Sequence, residues 1–213
     1  MAVAHLVVAP RIYEADVVIR VEEKSRTMTG LDEVAAMLSE KSAGEIEIEV
    51  IRSRRLIGSV VDRLGLDVVV EPSRFPIVGK VLARRHLGAE PARPWLGLER
   101  YAWGGERLRF ARLDVPDELI DERMELTALG GGRWRLSAGG RQVQLEGQTG
   151  TAAAAPAGSG RVELDVAELV ARPGTRFHVT KLRRDGVVDA LQADLRAQEK
   201  GKKSGIVVVT LEG

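Results

Sequence analysis

The sequence predicts an α+β fold: a mixed β-sheet base domain with packed helices and an inserted β-rich module. Three observations carry the prediction. Residues 42–64 place apolar side chains at helical spacing between cap signals. Strand-like runs stand near both ends of the chain, at 12–22 and 206–211. Between them, from about 106 to 182, short alternating runs are separated by glycine turns.

Taken in order, Ile12 to Glu22 alternates Tyr13, Ala15, Val17, Ile19 and Val21 against Asp16, Arg20 and Glu22, a strand with one solvated face. Thr29, with Asp32 three residues on, opens a short helix bearing Leu31, Val34, Ala35 and Leu38. Ser42 and Glu45 form a capping box for one long helix that Gly65 closes. Ile46, Val50, Ile57, Val60, Val61 and Leu64 share one face of it, the expected core stripe. Leu66 to Val70 is apolar on both faces and reads as a central strand, ended by Glu71-Pro72. Pro76 fits the first turn of a further helix that runs to Arg84-Arg85-His86. Gly88, Pro91 and Pro94 mark a boundary.

Beyond it, strands are expected at 107–113, 124–129, 133–137, 141–146, 162–171 and 176–182, the middle ones as a meander around Gly130-Gly131-Gly132 and Gly139-Gly140. Thr151 to Gly160, low in complexity, reads as a mobile loop. Asp185 opens a short helix, residues 193–199 suit helix or strand, and the β-branched run at 206–211 returns to the first strand's sheet. The domain division expected is residues 1–104 with 183–213 as the base and 105–182 as the insert.

Composition excludes several function classes. Charge is balanced, 32 basic residues against 31 acidic, so no nucleic-acid partner is expected. With no cysteine there is no disulfide and no thiolate metal site. No run reaches the roughly 18 apolar residues of a membrane span. The apolar start Met1–Ala9 lacks the basic region of a signal peptide, and reads equally as the tail of a span outside the chain. A phosphate loop needs G-x-x-x-x-G-K-[ST]; Gly201-Lys202-Lys203-Ser204 has Arg196 for the first glycine and Lys203 for the hydroxyl, so it reads as a turn. His5, His86 and His178 lack metal spacing, and no G-x-S-x-G elbow occurs. No catalytic residue, cofactor or metal is expected.

Two clusters stand out. Trp95, Tyr101 and Trp103 lie close together in an aromatic-poor chain, either to stack on sugar rings or to pack the joint between base and insert. Along the long helix, Ile48, Ile51 and Arg55 point away from the core stripe. Glu45, Glu47 and Glu49 precede Arg52, Arg54 and Arg55. That division either complements the helix dipole or makes Ile48, Ile51, Arg52, Arg54 and Arg55 a head-to-tail contact between subunits.

Six short motifs spread along the chain resemble the polysaccharide co-polymerases, the chain-length determinant (Wzz/Wzc) family, and within it the branch fused to a tyrosine autokinase. They are Pro10-x-x-Tyr13-x-Ala15, Glu49-Val-Ile-Arg-Ser-Arg54, Asp62-x-x-Gly65-Leu66-Asp67, Phe75-Pro-Ile-Val-Gly79, Ala171-Arg-Pro-Gly174 and Gly201-Lys-x-Ser-Gly205-Ile206-Val207. The resemblance implies a periplasmic domain of an inner-membrane protein that forms a ring-like homo-oligomer. With polymerase and export machinery as partners, it would set the chain length of an exopolysaccharide, capsule or O-antigen. Both membrane spans, the helices expected after Gly213 and the cytoplasmic kinase are missing, so the chain reads as an excised domain. The alternative is a carbohydrate-binding module that contacts the growing polysaccharide through Trp95, Tyr101 and Trp103. An enzyme acting on the polysaccharide is the third reading.

Overall fold

The computed structural model describes residues 14–21, 43–76, 90–94, 97–138, 143–201 and 204–212, with the single positions 79, 83, 88 and 140. The helices expected near Thr29 and after Pro76, the capping residue Ser42, Trp95, His5 and His86 lie outside the described residues. An α+β fold is present: three helices and eleven strands in three sheets among the described residues. They divide into two compact units, one within Gly65–Arg183, the other within Pro10–Leu64 and Arg184–Gly213.

The first unit is a β-sandwich. Its larger sheet has the order β2 (Val68–Pro72), β9 (Arg176–Lys181), β4 (Arg123–Gly130), β5 (Arg133–Ala138) and β6 (Val143–Gln148), all antiparallel. Period-two alternation sends one set of side chains inward. The register lines them up in rows: Pro72, Phe177, Leu126, Leu136 and Leu145; then Val70, Val179 and Met124. A third row sets the fully buried Trp134 between two small residues, Ala128 and Gly147. The β4–β5 turn passes through Gly130, Gly131 and Gly132, all at positive φ, where a Cβ would be strained.

The smaller sheet is β3 (Arg107–Asp114), β8 (Gly160–Val170) and β7 (Ala153–Ala157). Leu113, Val162, Leu164, Val166 and Ala157 join the core of the larger sheet, with Leu108, Phe110, Leu169, Ala153 and Ala155 packed against it. The apolar spacing steps from two to three at Phe110–Leu113 and at Val166–Leu169. Register shifts leave Ala111 and Ala167 unpaired and restore the inward phase.

In the second unit β11 (Ile206–Glu212) is the middle strand between β1 (Glu14–Arg20) and β10 (Leu195–Glu199), so the chain's two ends meet in one sheet as expected. The ambiguous stretch is strand: Leu195, Ala197 and Glu199 are half-buried and alternate with exposed Arg196 and Gln198. The Gly201–Gly205 motif closes the β10–β11 hairpin, where Lys200 N donates to Ile206 O at 2.7 Å. Helix α2 (Arg54–Leu64) packs Ile57 and Val61 against Val188 of α3 (Arg184–Asp194). The Arg184 fork holds Asp62 at 2.6 and 2.8 Å, and Arg54 pairs with Asp189. No helix among the described residues is long and apolar enough to cross a membrane.

Four expectations need correction. The single long helix is two, α1 (Ala43–Ile51) and α2. Ser53 breaks it: its Oγ accepts from Leu56 N at 3.3 Å and donates to Val50 O at 2.6 Å, capping α2 with its own hydroxyl. The break interrupts the helical phase, so the expected core stripe does not hold together. Only Ile57 and Val61 of it are buried; Ile46 is 52% exposed, Val50 50% and Leu64 66%. Secondly, β2 is an edge strand, not a central one; Val69 and Glu71 face outward, and Pro72 is tolerated because an edge strand needs no second ladder. Thirdly, Thr151–Gly160 contains β7, whose Ala153, Ala155 and Ala157 pack inward beside β8 while Ala154 and Pro156 face out on this edge strand. Lastly, β1 has both faces exposed, with Val17, Val18 and Ile19 all uncovered. As for the expected 104/105 boundary, β2 pairs with β9, and the compact unit accordingly starts at Gly65.

Candidate functional site

After Pro72 the chain leaves the sheet as a strap. Ser73 N donates to Arg176 O at 2.8 Å, Ser73 O accepts from Ala102 N at 2.7 Å, and Arg74 forms a parallel bridge with Ala102. Phe75 then meets Tyr101 edge-on at 5.4 Å and stacks on Trp103 at 6.1 Å, while the Arg100 guanidinium lies 4.9 Å from the Tyr101 ring centre. Trp103 is 4% exposed and its indole N–H donates to Leu98 O at 3.2 Å. Both oxygens of Glu106 are committed to the same turn, accepting from Trp103 N at 2.8 Å and Gly104 N at 2.7 Å. Arg172 of the Ala-Arg-Pro-Gly motif donates to the carbonyls of Pro91 and Ala92, each at 2.9 Å. The motif thus anchors the strap's neighbouring segment.

Two cavities lie against β2. One of about 470 Å³ opens on the outer face and is lined by Val70, Glu71, Pro72, Ser73, Arg74, Arg123 and His178. Its charged groups come from adjacent strands: the register sets Glu71, His178 and Glu125 side by side, with Arg123 one step along β4. Arg123 stands 3.9 Å from Glu71, a loose pair between exposed side chains. The second cavity, about 360 Å³, shares Val70 and Pro72. Leu108 and Phe177 complete an apolar floor under a rim of Glu106, Arg107, Arg109 and Glu168. These groups donate and accept hydrogen bonds; they suit recognition of a polar ligand.

Burial holds the His178 imidazole below its ordinary pKa, and the nearby Arg123 adds to the effect, against Glu125 and Glu71. The unfolded chain therefore binds a proton before the folded one does. Stability is full above the unfolded value of about 6.5 and is lost as pH falls from there toward the folded pKa. His178→Gln is expected to flatten that loss. Thermal melts of both proteins at neutral and mildly acidic pH check this; parallel declines would refute it.

The residues singled out from sequence fare unevenly. Trp95 lies outside the described residues, Tyr101 is half-buried, and Trp103 is a core residue of the strap, with no open face for a sugar. Ile48 and Ile51 are the half-buried side of α1, which packs on β10 and β11; their exposed counterparts are Ile46 and Val50. The Arg52 carbonyl accepts from Gln192, Arg54 pairs with Asp189, and Arg55 is exposed. Uncovered apolar side chains run instead along α2 at Leu56, Val60 and Leu64. Sequence reasoning missed Glu71, Arg74, Arg123 and His178. Strands far apart in the chain bring Glu71, Arg123 and His178 together.

The model of the Wzc tyrosine-protein kinase N-terminal domain matches residues 68–182. The putative tyrosine-protein kinase EpsB of Ralstonia nicotianae is 36% identical over 204 residues, 95% of this chain and 27% of that protein. The tyrosine-protein kinase wzc of Salmonella typhimurium is 29% identical and etk of Escherichia coli 28%, each over the whole of this chain and 27% of the relative. The chain therefore spans about a quarter of the length of these relatives.

Proposed function

The chain belongs to the family of the Wzc tyrosine-protein kinase N-terminal domain, and from that premise we propose that it is the periplasmic scaffold domain of a larger inner-membrane protein, which controls polysaccharide chain length and export by oligomerising. One observation carries the reading: relatives named as tyrosine kinases align with nearly all of this chain through only 27% of themselves. The match takes in only about a quarter of each relative, and this sequence holds no phosphate loop. The parent would carry the kinase on the other side of the membrane, with polymerase and export proteins as partners.

The subunit contact would use the apolar ridge Leu56, Val60 and Leu64 of α2, with Arg52 and Arg55 beside it. A solvated helix face is ordinarily polar, and this one is not. Leu56→Glu with Leu64→Glu is expected to leave the melting temperature of the 213-residue chain unchanged. In the full-length parent the same pair is expected to break the detergent-solubilised oligomer and alter the polymer length seen on gels. Unchanged oligomers and unchanged polymer would sink the proposal. Ile48→Glu with Ile51→Glu, in contrast, is expected to loosen the fold, because those side chains face the sheet. Direct contact with the polysaccharide is the second reading, favoured by the charged cavity beside β2.

A further inference from the structure

We propose that the two cavities flanking β2 bind carboxylate-bearing polysaccharide, with Arg74 and Arg123 taking a sugar carboxylate and the floor at Val70, Pro72 and Leu108 seating the neighbouring ring. The proposal rests on the polysaccharide reading above and supplies its chemical class. Arg74 lines the cavity, and its guanidinium makes no hydrogen bond or ion pair among the described residues. Among the described residues Arg123 has only the 3.9 Å approach of Glu71, too long for a hydrogen bond, so its N–H groups can take a ligand. A guanidinium fork matches a carboxylate or a phosphate in two parallel bonds.

Glu71 narrows the choice. A carboxylate in the same wall repels a doubly charged phosphate more than a singly charged acid, and it accepts hydrogen bonds from sugar hydroxyls. The second cavity favours a ligand with an apolar face, because Val70, Pro72, Leu108 and Phe177 line it, the first two shared with the first cavity. A sugar ring has an apolar C–H face for such a floor and hydroxyls for the rim at Arg109 and Glu168. The free side of β2 carries no paired strand among the described residues.

The test is calorimetric titration of the 213-residue chain with three probes: tetragalacturonate, uncharged maltotetraose of the same length, and inorganic phosphate. At about 0.15 M salt the expected result is saturable binding of tetragalacturonate alone. Arg74→Gln should weaken it about tenfold, because the neutral amide cannot form the charge-assisted pair with the sugar carboxylate. The melting temperature should not move, because the Arg74 guanidinium has no hydrogen-bond or ion-pair partner among the described residues. Equal binding of maltotetraose overturns the anionic class, and equal binding of phosphate overturns the sugar. No saturable binding, or an Arg74→Gln variant of undiminished affinity, overturns the site. Each of these leaves the scaffold reading standing, since polymer length in the Leu56 and Leu64 double variant reports on that separately.

Discussion

Gly147→Ala is expected to cost the β-sandwich about 3 kcal/mol, at the upper end of ordinary overpacking, and to lower its melting temperature by roughly 10 °C or more. Gly147 faces inward on β6, directly across from Trp134 on β5. A methyl group there would stand 2.3 Å from Cζ2 of the Trp134 ring and 2.6 Å from Cη2. The ring cannot retreat, because it is fully buried between the sheets with Leu136, Phe177 and Val166 in the same core. Nor can the strand, whose register with β5 is continuous from Arg133 to Ala138. Trp134→Phe in the same chain should recover part of the loss, since the smaller ring frees the space and removes an indole N–H that has no partner among the described residues. The double variant should therefore be more stable than the sum of the two single effects, as expected for residues in contact. A Gly147→Ala protein that melts within a degree or two of the parent would show that the ring does not cover the glycine.

Asp67→Ala is expected to be nearly as damaging, by about 3 kcal/mol, the low end of the range for breaking a buried pair. Asp67 accepts a 2.6 Å ion pair from Lys181, and its backbone carbonyl takes Leu182 N at 2.7 Å where β2 meets β9. Lys181 retains some exposure, 20% of its side chain, which is why the low end applies. Removing the carboxylate leaves an ammonium in a site that excludes most water; the desolvation cost stays and the attraction goes. Asp67→Leu combined with Lys181→Met should recover most of the stability, because it removes both charges. Urea melts of the single and double variants check this. If the double variant is no better than the single, the pair is not where the energy lies.

Much of the sandwich was legible because its strands obey a local rule. Met124, Leu126 and Ala128 alternate with polar residues, as do Val162, Leu164 and Val166, and glycine turns separate the runs. The hairpin that returns Ile206–Glu212 to the first strand was legible for the same reason. The helix break was harder. A serine within a helical run is commonplace, and only the bond from Leu56 N to the Ser53 hydroxyl shows that it caps. The alanine-rich β7 was missed because alanine carries little strand signal. Its place comes from the small gap left beside Val162 and Leu164 on β8.

What this sequence determined by itself is its fold class, most of its strands and its family, because alternation, turn chemistry and short motifs are written within a few residues of one another. Which strand lies at an edge, which side of a helix is covered and which charges share a cavity were decided by the tertiary structure alone. Val68–Val70 looks the same in sequence whether one neighbour pairs with it or two. Glu71, Arg123 and His178 meet only because β2 and β4 both pair with β9, contacts between residues about fifty to a hundred positions apart. The physical reason is range: local preferences choose the kind of element, whereas partner and face are settled by which arrangement buries the most apolar surface.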